Sequence, residues 1–197
     1  MFCDWLPFTI ASRISHHQMI TIYIDGGTLR NGDDNSPAAL GCFFIKTNDQ
    51  GEQIHWRLLS KQLVGSNNVA ELCAAICALE SLNKRDDQIQ IISDSQYVIN
   101  GAGQWVHHWS ANGWATAGGK PVANQHLWRS LLLLKPKEIK WRHVRGHVGV
   151  EGNELVDYAC TLAMKADAQL DMRGADDQSA AAILNQLKRR YPHIKKR

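Results

Sequence analysis

Five side chains in this 197-residue sequence carry the chemistry worth weighing first: Asp25, Glu71, Asp94, His147 and Asp157. Asp25 closes an alternating, β-branched run, ITIYIDGG, and Asp94 follows a second such run, IQIIS. Glu71 and Asp157 fall early in two helical patterns, and His147 lies in a glycine-flanked loop, RGHVGVEGN. Each has an ordinary explanation when taken alone: a turn-capping aspartate, a glutamate in a first helical turn, a solvated helical charge, a surface imidazole. Together they point elsewhere, because function in sheets with helical crossovers collects at the carboxyl ends of strands. Four carboxylates meeting there would repel one another strongly unless cations lay among them. Oxygen donors without paired Cys or His suit Mg²⁺ or Mn²⁺ rather than zinc. Two such ions about 4 Å apart can activate water and stabilise the leaving oxygen of an in-line phosphoryl displacement.

The elements that must position these groups are legible in outline. The first strand runs from Ile20 into turn material, GGTLRNGDDNSPAA, where Arg30 and Asn31 are placed to face a ligand. ALGCFFIKTND and EQIHWRLLSKQL read as a hairpin beside it, joined by a turn at residues 48–51. At GSNNVAELCAAICALESLNK the period changes to helical, with Asn67 or Asn68 as the expected cap and Glu71 in the first turn. Ala70, Cys73, Ala74, Cys77 and Ala78 form a small-residue face suited to close packing. IQIIS is the dense apolar strand type that helices cover, and a helix opens at Gln96. Trp105, His108 and Trp109 recur at helical spacing before a break at Asn112-Gly113, which predicts a small helical hairpin packed by its tryptophans. Pro121 is expected to begin another helix, IKWRHV to form the last strand, and Glu154, Asp157 and Tyr158 to sit near the start of the helix after the His147 loop.

Composition bounds the rest. The length suits one domain with short appendages, and 44% hydrophobic residues suffice for a sizeable core. The formal charge of +3 is uneven, since Lys188, Arg189, Arg190, Lys195, Lys196 and Arg197 end the chain with no acidic residue among them. A near-neutral body with a basic end weakly suggests a polyanionic partner. Cysteines at 3, 42, 73, 77 and 160 match no metal pattern and read as reduced core residues of a cytoplasmic protein. No run of about 18 apolar residues occurs, so no membrane span is expected. Residues 1–18 make a poor signal peptide and read as a loose extension before the body at 19–167. Residues 168–197 read as a C-terminal extension whose apolar stripe (Ala180, Ile183, Leu184, Leu187, Tyr191) fits a docked helix, a flexible basic arm or both; a partly ordered arm is the expectation.

From Ile20 to Lys165 the sequence resembles a type 1 ribonuclease H, on YIDGGTLRNG, SNNVAEL, SDSQYV and HVRGHVGVEGNELVDYA, four motifs in family order. The resemblance implies a metal-dependent endonuclease that cuts the RNA strand of RNA–DNA hybrids, leaving 5′-phosphate and 3′-hydroxyl ends. It implies that Asp25, Glu71, Asp94 and Asp157 bind one or two Mg²⁺ ions, Mn²⁺ being an alternative, and that His147 assists product release or a proton transfer. It also implies that Asn31, Asn68 and Gln96, with Asn67 in the same loop, reach the hybrid's minor groove, where 2′-hydroxyls distinguish RNA from DNA. Trp105 and Trp109 would lie in a protrusion that receives the DNA strand. Two departures stand out: Gly27 occupies the position where the family commonly has Ser, and the protrusion is poor in lysine. The basic end is expected to compensate for the latter. The reading predicts a single α/β domain with a ribonuclease H-like fold, a mixed five-stranded sheet of order 3-2-1-4-5 flanked by helices, acting as a monomer. A non-catalytic hybrid-binding protein and a DNA nuclease or resolvase on the same fold are the rival readings.

Overall fold

The computed structural model describes residues 18–82, 88–136 and 138–195. The expected loose N-terminal extension therefore falls almost wholly outside the described residues, as do the last two residues of the basic end. Among these residues six strands and six α-helices follow in the order β1 (Met19–Thr28), β2 (Pro37–Thr47), β3 (Gln53–Val64), α1 (Asn67–Glu80), β4 (Gln88–Ser93), α2 (Gln96–Asn100), α3 (Val106–Ala111), α4 (Gln125–Leu134), β5 (Ile139–His143), α5 (Glu151–Ala166), β6 (Leu170–Gly174) and α6 (Ala180–Arg190). The sheet order is β5-β4-β1-β2-β3-β6. The mixed α/β sheet and the order 3-2-1-4-5 are present, but the sheet has six strands rather than five. The extra one, β6, pairs antiparallel with β3 from Ser60↔Leu170 to Trp56↔Gly174.

The sheet is mixed because β1 makes an antiparallel ladder with β2 and a parallel one with β4. Parallel neighbours need a crossover, and α1 supplies it. Strict alternation along β1 then sorts the faces. Ile22 and Ile24 join Leu40, Cys42, Leu59, Ile89 and Ile91 in the core under α1 and α4. Tyr23 points to the other face, where Phe43, Trp56 and Leu58 pack under α5 and α6. Asp25, two residues beyond Tyr23 in the same strand, belongs to the α5 face.

Helix boundaries differ from expectation in instructive ways. Ser66, not Asn67 or Asn68, is the N-cap of α1, and it makes no side-chain capping bond. Glu71 consequently stands one turn inside the helix, beyond the first turn where a dipole contact would act. Buried Ala70, Ala74, Ala75, Cys77 and Ala78 bring α1 close to the sheet. Pro121 does not open α4. It bridges to Ala115, and the helix begins only after Asn124, whose φ of 55° breaks the chain direction. Between α2 and α3, Gly101–Trp105 forms a π-helical turn in place of a helical hairpin. Gly101 is needed there, because a Cβ at that position would overlap the Trp128 ring.

The C-terminal segment is a docked unit rather than a partly ordered arm. Ile183 and Leu187 of α6 are buried against α5, and the Tyr158 hydroxyl donates to the Tyr191 carbonyl at 3.2 Å. Trp56 Nε1 donates to Asp176 Oδ1 at 2.6 Å. The Arg57 guanidinium makes two hydrogen bonds to the Asp171 carboxylate, at 2.9 and 3.1 Å. Docking follows from the two-sided burial of α5: an apolar outer face bearing Leu155, Tyr158 and Leu162 needs a cover, and the α6 stripe provides it.

Candidate active site

The parallel pair β1–β4 ends with two carboxylates side by side, since the register Tyr23↔Ile92 carries forward to Asp25 and Asp94. Helix α1 brings Glu71 from one face of the sheet and α5 brings Asp157 from the other. Asp25, Gly26, Asn67, Glu71, Asp94, His147 and Asp157 line one cleft of about 320 Å³. The structure thus brings together all five candidate residues named at the outset, with Asn67 among them. Asn31, Asn68 and Gln96 are exposed and do not line the cleft. Trp105 and Trp109 lie outside it as well. Trp109 packs edge-on against Trp128 with ring centroids 5.5 Å apart, while Trp105 lies tilted against Trp109 at 5.7 Å and keeps 39% of its surface exposed.

Glycine at 26 is a steric requirement. A Cβ there would overlap the backbone nitrogen of Glu71, so β1 and α1 meet at van der Waals contact where the two acids project. Glu71 is held at both oxygens: Asn67 Nδ2 donates to Oε1 at 2.7 Å, and the Ser95 hydroxyl donates to Oε2. Ser95 also accepts from the Val98 backbone N–H, which makes it the N-cap of α2 and a support for Glu71 at once. Asn153 Nδ2 donates to Asp94 Oδ2 at 3.1 Å. Neither Ser95 nor Asn153 stands out in the sequence. The signal available is weak: a hydroxyl directly after a strand-end aspartate, and an amide one turn before Asp157.

The imidazole sits at the mouth of the cleft. His147 adopts a left-handed backbone, φ 56°, uncommon for a residue with a side chain. Its Nδ1 lies 3.7 Å from Asp157 Oδ2, an electrostatic approach longer than a hydrogen bond. His147 is largely exposed, whereas Asp157 is 4% and Asp25 6% accessible.

Among the described residues no three acidic, imidazole or thiol groups form a preassembled metal cage. The donor set nonetheless fits a hard divalent cation. It comprises four carboxylates, two of them almost fully buried, with no Lys or Arg lining the cleft. Desolvated anions in such proximity need a cationic counter-charge, and oxygen donors select the hard ions.

A carboxylate cluster at the carboxyl ends of a parallel strand pair, in a mixed sheet flanked by helices, suits chemistry assisted by a hard divalent cation, such as phosphodiester hydrolysis. Comparison with known proteins narrows it. The RNase H family pattern matches residues 17–165, and the chain belongs to the ribonuclease H family. It is similar to the ribonuclease H of Treponema pallidum, 37% identical over 160 residues, which is 78% of this chain and 95% of that protein. The ribonuclease H of Rhodopseudomonas palustris is 50% identical over 93 residues, a stretch that spans 47% of this chain and 61% of that enzyme. Among solved structures, LC9-RNase H1, described as a type 1 RNase H with the type 2 active-site motif, superposes with a TM-score of 0.73. It is 22% identical, and the match covers 93% of this chain and 88% of that one. The foamy viral protease-reverse transcriptase in complex with an RNA/DNA hybrid superposes with a TM-score of 0.62 at 21% identity, over 82% of this chain and 22% of that one. The structural likenesses establish the fold, and the family match shows a ribonuclease H-type endoribonuclease acting on RNA–DNA hybrids, a membership that implies a divalent-metal mechanism.

Proposed function

We propose that the chain hydrolyses the RNA strand of RNA–DNA hybrids at this cleft, with water as nucleophile, leaving a 5′-phosphate and a 3′-hydroxyl. The observation that carries the assignment is the meeting of Asp25, Glu71, Asp94 and Asp157, from four separate segments of the chain, in one cleft without a Lys or Arg in its lining. These four would hold Mg²⁺, or Mn²⁺ in its place, as one or two ions. When bound, a divalent cation supplies the charge that activates water and neutralises the developing charge on the leaving oxygen. Asp25 and Asp94 are the central pair. Glu71 is kept in place by Asn67 and Ser95. His147, on a loop flanked by Gly146 and Gly149, is positioned to pass a proton or assist product departure at the cleft mouth, a task for which imidazole is the ordinary choice.

Asn31, Asn68 and Gln96 are exposed and serve as readers of the hybrid's minor groove, where the 2′-hydroxyl is sensed. Asn67, beside Asn68 in the first turn of α1, turns its amide to Glu71. Trp105 offers its exposed ring to the DNA strand, and Trp109 backs it by anchoring on Trp128. A reducing cytoplasm suits the mostly buried thiols of Cys42, Cys73, Cys77 and Cys160, none of which is in a disulfide, and the chain acts as a monomer. None of the helices is long and apolar enough, among the described residues, to cross a membrane.

A labelled RNA–DNA hybrid incubated with Mg²⁺ and with Mn²⁺, beside an Asp94→Asn variant and an all-DNA duplex, tests the assignment. Cuts confined to the RNA strand, dependent on added cation and lost in the variant, are expected. Intact RNA with a folded protein that still binds the hybrid would instead make it a binding protein. Cleavage of the all-DNA duplex would make it a DNA nuclease.

A further inference from the structure

We propose that Asn153 is a positioning residue for the reaction, fixing the orientation of the Asp94 carboxylate from the first turn of α5. The inference rests on the nuclease reading above and adds to it a residue outside the cleft lining. Asn153 is 2% exposed, in a helix whose Leu155, Val156 and Ala159 are buried as well. Its Nδ2 donates to Asp94 Oδ2 at 3.1 Å. The amide orientation is set by chemistry, because only the NH₂ end is complementary to a carboxylate. Its other end, Oδ1, is buried and accepts no hydrogen bond from the described residues. Burying a carbonyl oxygen without a donor costs free energy, so a purely structural residue at this site would be apolar. The amide is kept for its donor.

The neighbours of Asp94 show what the donor accomplishes. Gly146 passes so close that a Cβ there would stand 2.6 Å from Asp94 Oδ2. Its backbone therefore closes one side of that oxygen while Asn153 ties it on another. His143 Nε2 lies 3.1 Å from the Asp94 backbone carbonyl, and the Val144 N–H donates to the Ser93 carbonyl at 3.0 Å. Main chain and side chain are thus both pinned, and the carboxylate enters the cleft with Oδ2 engaged and Oδ1 the oxygen left to offer. Glu71 is treated in parallel, by Asn67 and Ser95. Partners that orient ligating groups in this way are worth about 10- to 100-fold in cation affinity or rate when removed.

The test compares wild type, Asn153→Ala, the isosteric Asn153→Asp and Asp94→Asn. Readouts are kcat and KM on a labelled hybrid, calorimetric titration of Mg²⁺ and Mn²⁺ into protein without hybrid, and thermal melting. The expected result for the Asn153 variants is a cooperative melt, cation affinity and kcat each reduced about 10- to 100-fold, and KM for the hybrid within about twofold of wild type. The isosteric variant should lose at least as much as Asn153→Ala, because it sets a second acid against Asp94. Folded variants with unchanged kcat and cation affinity would overturn the proposal. So would loss of the cooperative transition in both Asn153 variants, which would make Asn153 a folding residue. A wild-type enzyme without activity, indistinguishable from Asp94→Asn, would strike the nuclease reading itself and is recognisable as that separate failure.

Discussion

The cleft is built on single atoms that are absent as much as on those present. At Gly26 the missing Cβ lets α1 approach until its backbone touches the strand that carries Asp25. Gly26→Ala must push the two elements apart, and because the obstruction is main chain, no rotamer change relieves it. The expected loss is about 1–3 kcal/mol or more of unfolding free energy, measured by urea denaturation. A drop in kcat should accompany it, because Glu71 moves with α1. Unchanged stability would mean that the helix can slide without penalty. The acids are visible in the sequence because a carboxylate after a β-branched run, repeated twice, is an unusual pattern. Ser95 and Asn153 are not, because hydroxyls and amides in first helical turns are ordinary capping residues. What distinguishes these two is a partner 24 and 59 residues away, which local spacing does not encode.

Elements are legible where one period runs long enough, and less so where a distant segment decides the outcome. The stripe along α6 is plain in the sequence, but its docking depends on the apolar outer face of α5 and on β6, a five-residue strand with polar alternation that resembles loop sequence. The docked geometry also changes how the basic end should be probed. Deleting residues 186–197 would remove buried Leu187 and confound charge with folding. Replacing Lys188, Arg189 and Arg190 together with Gln leaves the apolar anchor intact, since all three are exposed. If these side chains neutralise phosphates, KM for the hybrid should rise at low salt, and the log–log salt slope should flatten by about 0.9 for each phosphate left without its cation, with kcat unchanged. A salt slope identical to wild type would assign the charges to the carboxyl end of α6, where cations favourably meet the helix dipole.

Across the whole molecule, the attachment of the last segment carries a pH signature. Burial pushes the Asp171 carboxyl up, but the Arg57 guanidinium, aided by Arg173, outweighs it and holds the group below the usual carboxylate range. A carboxyl depressed in the folded state stabilises the fold above its unfolded pKa, and the contribution disappears as the pH falls through the folded value. Arg57 is 5% exposed whereas the Asp171 side chain is 43% exposed, so the pair is only partly screened. Asp171→Asn should therefore cost about 1–2 kcal/mol at neutral pH after allowance for solvent screening. Urea denaturation at neutral pH and at a pH well below the carboxylate range checks this: the gap between variant and wild type should close in acid. An equal gap at both values would show that packing, not charge, ties β6 to β3.

The same strand has a bearing on how the protein is made. β3 pairs with β2 soon after both have been synthesised, but among the described residues its other edge is met only by Leu170–Gly174, 110 residues beyond Ser60. A ribosome working from the amino terminus must therefore expose that row of unpaired amides and carbonyls to the cell until nearly the entire sheet has been translated. Open edges of this kind are where nascent chains join one another. Arg57 and Lys61 within β3 place positive charge along it, a feature that discourages such pairing during the wait.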